Sequence, residues 1–213
     1  MDLQQDELAP VRQPPPGPMT YEEFLEWADD ETHAEWVDGQ VILLPLNVTE
    51  RHARILWFLQ GLFFAAAQVG LPGTAYSEPF QMYLAAQRRG RSPDLFFVRT
   101  ERLHLMDRLY LRGPADLIVE IVSPESRRRD RVIKLGEYEA AGVPEYWLID
   151  AERLSLEIRV LGPDGRYQLV FSGDSGLYQS PTLAELRLRL EWLWQERPPS
   201  KDEMDSVLGQ PSR

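Results

Sequence analysis

The sequence predicts a mixed α/β (α+β) fold, with a central mixed sheet flanked by helices. Three observations predict it. The run DLIVEIV over residues 116–122 is almost continuously apolar, as expected of a strand covered on both faces. Residues 47–69 are apolar nearly all round at helical spacing (Ile55, Leu56, Leu59, Leu62, Phe63, Phe64), which predicts a central buried helix. Strand and helix signals interleave along 213 residues of ordinary composition, 43% hydrophobic and 27% charged, a length suited to one domain.

The elements are justified in chain order. Residues 1–18 are expected to be a flexible arm, because Pro14, Pro15, Pro16 and Pro18 supply no backbone donors and oppose a helix. Thr20-Tyr21-Glu22-Glu23 fits a capping box and opens a short helix to about residue 29. Residues 35–43 read as a hairpin turning at Asp38-Gly39. The long helix then opens near Asn47 and stops at Gly70. Residues 75–84, 95–98 and 116–122 read as strands. Arg129–Ala141 reads as a helix closed by Gly142 and Pro144. Residues 145–149, 154–161 and 167–171 read as further strands, and Leu186–Leu190 alternates like a half-exposed one. The domain is therefore set at 19–197, with 198–213 expected to be a loose tail.

Composition removes several classes of function. The chain has no cysteine, so thiolate zinc sites, disulfides and a cysteine nucleophile are excluded, and three scattered histidines argue against a His-rich centre. No apolar run is long enough to span a membrane, and the start is acidic and proline-rich, unlike a signal peptide. A soluble cytoplasmic protein is expected. The net charge of −11 speaks against nucleic acid until it is mapped. Residues 1–35 carry one arginine against ten acids, whereas RRRDRVIK (127–134) carries five positive charges against one negative.

Four features carry chemistry. Asp94 follows Pro93 at the head of an apolar strand. Glu120 lies inside the buried run. Asp130, Lys134 and Tyr138 share a helix face at i, i+4 and i+8. Glu35 begins the first hairpin. An ionised carboxylate in an apolar strand has to be neutral, paired or bound to a cation. Asp94 and Glu120, converging from neighbouring strands, would suit one hard ion such as Mg²⁺, and a nearby lysine would complete a phosphodiester-cleaving site. Structural readings stand beside these. Asp94 suits a turn cap, and Glu120 suits an ion pair with Arg127 or Lys134. On spacing alone Asp130 and Lys134 read as a surface pair. His52 reads as capping or packing, Tyr138 as packing, and Arg127, Arg128, Arg129 and Arg131 as a solvated face.

The run GPADLIVEIVSPESRRRDRVIKLGEYEAAGVPEYWLID resembles the Uma2 (DUF820) family of the PD-(D/E)XK nuclease superfamily. MTYEEFLEW, HAEWVDGQVILLP, the helix with His52 and SPDLFFV fit the same pattern in the same order, so the resemblance spans roughly residues 19–192. It implies a restriction-endonuclease-like fold and a Mg²⁺- or Mn²⁺-dependent endonuclease hydrolysing phosphodiester bonds in DNA. Asp94, Glu120 and the Ile121 backbone carbonyl would be metal ligands, and Glu35 the acid contributed near the first helix. The superfamily lysine two residues after the glutamate is replaced by Val122, and its role would pass to Lys134. Arg127, Arg128, Arg129 and Arg131 would meet phosphate. A homodimer is expected, with LRLRL (186–190) or Trp192-Leu193-Trp194 as its surface. The alternative is a non-catalytic nucleic-acid-binding or assembly protein that keeps the fold.

Overall fold

Thr20 opens the first helix, α1 (Tyr21–Trp27), through the expected capping box: its hydroxyl accepts from the Glu23 N–H at 3.1 Å, and the Glu23 carboxylate accepts from the Thr20 N–H at 2.7 Å. The structure, a computed structural model, describes residues 12–29, 32–45, 47–123 and 126–208. The expected arm lies outside them as far as residue 11, and Arg12 is ion-paired to Asp29 at 2.9 Å. Tyr21, Phe24 and Trp27 bury against the hairpin of β1 (Ala34–Val37) and β2 (Gln40–Leu43). Asp38 and Gly39 both take positive φ there, as a two-residue hairpin turn with the right twist requires.

Two sheets follow. The smaller runs β2-β1-β5-β4-β7, where β4 is Gln81–Leu84, β5 is Arg89–Arg91 and β7 is Tyr110–Arg112. Gly90 in β5 lies so close to Tyr21 that a Cβ would come within 2.3 Å of its ring, so only glycine lets the helix seat. The larger sheet runs β11-β10-β9-β8-β6-β3. Here β3 is Gly73–Ser77, β6 Leu95–Arg99, β8 Leu117–Val122, β9 Glu145–Asp150, β10 Ser155–Leu161 and β11 Tyr167–Gly173. Its β8 and β9 are parallel, joined by the helical crossover of residues 129–141.

Every residue of β8 is buried, as the apolar run predicts, because both faces are covered. Leu117, Val119 and Ile121 pack toward the long helix α2 (Glu50–Gln68). Ile118 and Val122 pack on the other face with Tyr138, Tyr146 and Leu148. Strand alternation places Glu120 on that second face, beside the crossover helix.

Several expectations are corrected. Residues 75–84 are two strands in different sheets, parted around Pro79, whose missing donor ends pairing. Helix α2 starts at Glu50, the last residue of the expected opening Asn47–Glu50, with the Thr49 hydroxyl accepting from the His52 N–H. The tail after residue 198 holds a helix, α4 (Lys201–Leu208), whose Val207 and Leu208 enter the core near α2. The expected dimer surface is interior too. Leu186, Leu188, Leu190, Trp192 and Leu193 are buried, and β13 (Arg187–Arg189) pairs with β12 (Leu177–Gln179). Among the described residues no helix is long and apolar enough to cross a membrane.

Candidate active site

Strands β6 and β8 are antiparallel with Leu95 opposite Val119, so the next step of the register sets Asp94 opposite Glu120. The Ile121 N–H donates to Asp94 Oδ2, which fixes that carboxylate at the end of the pairing. In the smaller sheet Trp36 lies opposite Gly90, and the next step sets Glu35 opposite Arg91. Arg91 donates to Glu35 Oε2 at 2.6 Å and also grips Glu137.

Lys134 joins the two sheets. Its Nζ lies 2.8 Å from Glu120 Oε1 and 3.0 Å from Glu35 Oε1. It sits in a wide π-helical turn, Arg129–Lys134, that runs on into α3 (Leu135–Ala141). From α3, Tyr138 donates its hydroxyl to the same Glu120 Oε1 at 2.7 Å. Asp130 and Lys134 are each only 2% exposed, so the surface pair suggested by spacing is an interior one. A Gly142 at φ 81°, in the left-handed region, ends the helix as its sequence position predicts.

Asp94, Glu120, Asp130 and Lys134 line a cavity of about 610 Å³, together with three residues the sequence did not place there. His52, from the first turn of α2, has Nε2 3.5 Å from Asp94 Oδ1. Glu78, from the turn after β3, pairs with His33 Nε2 at 3.0 Å. One ligand atom each of His52, Glu78 and Asp94 lies within 4.8 Å of the others. Nothing local marks Glu78 in sequence, since it is an acid beside a proline in a loop. His52 had a signal only in its position at a helix start.

The electrostatics follow from the count of charges. Five carboxyl groups (Glu35, Glu78, Asp94, Glu120 and Asp130) gather around one lysine. Arg91 divides between Glu35 and Glu137, and Arg129 pairs with Asp130 at 3.5 Å. Burial opposes ionisation of Glu35, but Lys134 and Arg91 outweigh it and hold the carboxyl down to about 2. Burial pushes Asp94 up to about 7, assisted by Glu78, and Glu120 up to about 8 despite Lys134, with Asp130 and Asp94 adding repulsion. Burial lowers the His52 imidazole, favouring its neutral form, whereas Glu78 raises that of His33.

The arginine run divides. Arg127 pairs with Glu152 and Asp150, and Arg131 with Asp150 and Glu157, so these two brace the fold. Arg129 lines the cavity and Arg128 is exposed. The Ile121 side chain packs in the core while the residue itself lines the cavity.

The model of a family named Uma2, described as "putative restriction endonuclease", matches residues 21–191. The chain belongs to the Uma2 family. One similar solved structure is the crystal structure of a "putative nuclease belonging to DUF820" from Anabaena variabilis. It matches at a TM-score of 0.69 and 20% identity, over 83% of this chain and 98% of that one. That likeness speaks for the restriction-endonuclease-like fold. No curated protein matches the chain. The Uma2 match spans the Glu35 hairpin, Asp94, Glu120 and the Lys134 turn.

Proposed function

We propose that this Uma2 protein is a divalent-metal-dependent endonuclease hydrolysing phosphodiester bonds in DNA, with Asp94 and Glu120 as metal ligands. The observation that supports it most is the meeting of Asp94, Glu120 and Lys134 at one cavity that holds more carboxylate than cation. The donor set fits a divalent ion. Asp130 Oδ1 and His52 Nε2 are buried without a hydrogen-bond partner, and two carboxyls are held above their ordinary range by burial and mutual repulsion. A bound Mg²⁺ or Mn²⁺ would lower the pKa of a water and offset charge on the phosphate.

The protein's own groups do the rest. The Lys134 ammonium, steadied between Glu35 and Glu120, faces the charge that develops on the phosphoryl oxygens. Arg91 keeps Glu35 ionised, and Glu35 in turn keeps Lys134 in place. Tyr138 fixes the rotamer of Glu120 by holding Oε1. Arg128 is at the surface and Arg129 at the cavity wall, and both would meet backbone phosphates. The proposal includes a homodimer, which would bring two such sites to one duplex.

Plasmid and single-stranded DNA incubated with Mg²⁺, with Mn²⁺ and with chelator test this directly. Cleavage is expected only with metal, and Asp94→Asn and Glu120→Gln are expected to abolish it with the fold intact. Equal residual cleavage in wild type and Asp94→Asn would overturn it in favour of a non-catalytic nucleic-acid-binding or assembly protein.

A further inference from the structure

We propose that His52 Nε2 and Glu78 join Asp94 Oδ1 in holding the divalent ion on the His52 side of the cavity, and that this imidazole ligand makes the site prefer Mn²⁺ over Mg²⁺. The inference rests on the metal-dependent reading above and deepens it, since Asp94 belongs to both sets.

Three observations carry it. The first is spacing. The three ligand atoms lie within 4.8 Å of one another, and ligands each about 2.0–2.2 Å from an ion are at most about 4.4 Å apart. A contraction of a few tenths of an ångström closes the site.

The second is that Asp94 and Glu78 already have their other contacts made, while His52 has a ring nitrogen left over. Asp94 Oδ2 is taken by the Ile121 N–H, which leaves Oδ1 as the oxygen nearest His52. The separation of 3.5 Å is too long for a hydrogen bond, and His52 Nε2 is buried with no hydrogen-bond partner. Glu78 is steadied by His33, whose other ring nitrogen lies 3.1 Å from the Pro45 carbonyl. This is the kind of outer support that orients ligands at metal sites. Glu120 spends Oε1 on both Lys134 and Tyr138, so its share in the ion would fall to Oε2.

The third is independent of those residues. Asp130, which lines the same cavity, is 2% exposed, and its Oδ1 has no hydrogen-bond partner, only the longer ion pairs of Arg129 at 3.5 Å and Lys134 at 3.9 Å. A buried acceptor left without a donor is costly, and a cation or its bound water satisfies it.

The chemistry of the donors then sets the preference. Mg²⁺ dehydrates reluctantly and takes oxygen ligands, whereas Mn²⁺ shares its preference for carboxylates but, as a transition ion, accepts an imidazole nitrogen beside them more readily. A site with one imidazole and two carboxylates therefore favours Mn²⁺.

The experiment titrates the full-length protein with MnCl₂ and with MgCl₂ by calorimetry, and records the electron spin-echo modulation of bound Mn²⁺. Mn²⁺ is expected to bind at least roughly ten-fold tighter than Mg²⁺, with nitrogen modulation from one imidazole. His52→Ala and Glu78→Gln are expected to weaken Mn²⁺ by roughly ten-fold or more, and His52→Ala to remove most of the preference. The modulation in wild type decides the matter even if a variant fails to fold. Its absence, or an unchanged Mn²⁺/Mg²⁺ ratio in folded His52→Ala, would overturn the inference. The two readings fail separately. Nitrogen-ligated Mn²⁺ without DNA cleavage keeps this centre and removes the nuclease. Metal-dependent cleavage without nitrogen ligation does the reverse.

Discussion

Glu120 and Glu145 sit on adjacent parallel strands, and both are buried, yet their surroundings separate a candidate ligand from a structural acid. Glu145 accepts from four neutral donors, Trp147, Tyr178, Ser180 and Thr182, and does not line the cavity. Glu120 has Lys134 and Tyr138 on one oxygen and other acids beside it. Sequence alone cannot tell these two glutamates apart, because the donors to Glu145 come mainly from residues more than thirty positions away. The uncompensated acids have a consequence for stability. Asp94 and Glu120 have folded-state pKa values raised above the unfolded ones, so the folded state binds more protons between about pH 4 and pH 8. Metal-free protein is therefore expected to lose stability as pH rises through that window. Glu35, held low, contributes the opposite way, its stabilisation being lost as pH falls from about 4 toward about 2. Asp94→Asn keeps an acceptor for the Ile121 N–H and removes one charge. Its melting temperature without metal is expected to exceed wild type at pH 8 and to converge with it near pH 4, at about 2–4 °C per kcal/mol of repulsion removed. Parallel melting curves across the range would count against this account of the cavity.

At the scale of elements, the turn Arg129–Lys134 inverts the usual pattern of a helix on a protein surface. Asp130 and Lys134 are buried, while Val132 and Ile133 are 62% and 43% exposed. Amphipathic periodicity would bury the apolar pair, so the helix was legible in the sequence but its orientation was not. The register of β6 on β8 does the complementary work, setting two acids opposite each other where pairing ends. Their strands were legible as apolar runs, but their pairing was not. If only the position of the ammonium matters, the element carrying it is interchangeable. Lys134→Ala is expected to slow cleavage on the order of 10²–10³-fold with metal binding largely retained, the size of a lost electrostatic contribution of about 3–4 kcal/mol. Val122 shares the Glu120 face of β8 and lines the same cavity. Val122→Lys added to Lys134→Ala is expected to recover part of that loss, measured by single-turnover cleavage alongside circular dichroism. Unchanged cleavage in folded Lys134→Ala would leave the lysine a structural counter-ion of Glu35 and Glu120.

For the whole molecule, the large sheet was legible because its strands are long and apolar, whereas β5, β7 and β12 have three residues each, too few to show alternation. The ion-pair cluster on Lys134 needs both sheets, since Glu35 comes from one and Glu120 from the other, and no local pattern encodes that meeting. The proposed second copy would need an exposed apolar face. The segments that sequence reading offered as a dimer surface fill the core, leaving a different apolar stripe outside. On α2, Trp57 is 61% and Phe64 69% exposed, seven residues apart and so on one side of the helix. Gly61 lies between them, with open space where a side chain would be. A two-fold axis near Gly61 would run two α2 helices antiparallel and place Trp57 of each copy against Phe64 of the other, a self-complementary match that an isologous interface requires. The glycine would let the helices approach closely at the axis. Light scattering at micromolar concentration is expected to give twice the chain mass for wild type. Trp57→Glu combined with Phe64→Glu is expected to give the single-chain mass with metal affinity unchanged, since neither residue lines the cavity. A wild-type protein that scatters as one chain, or a double variant that still pairs, would rule out this face.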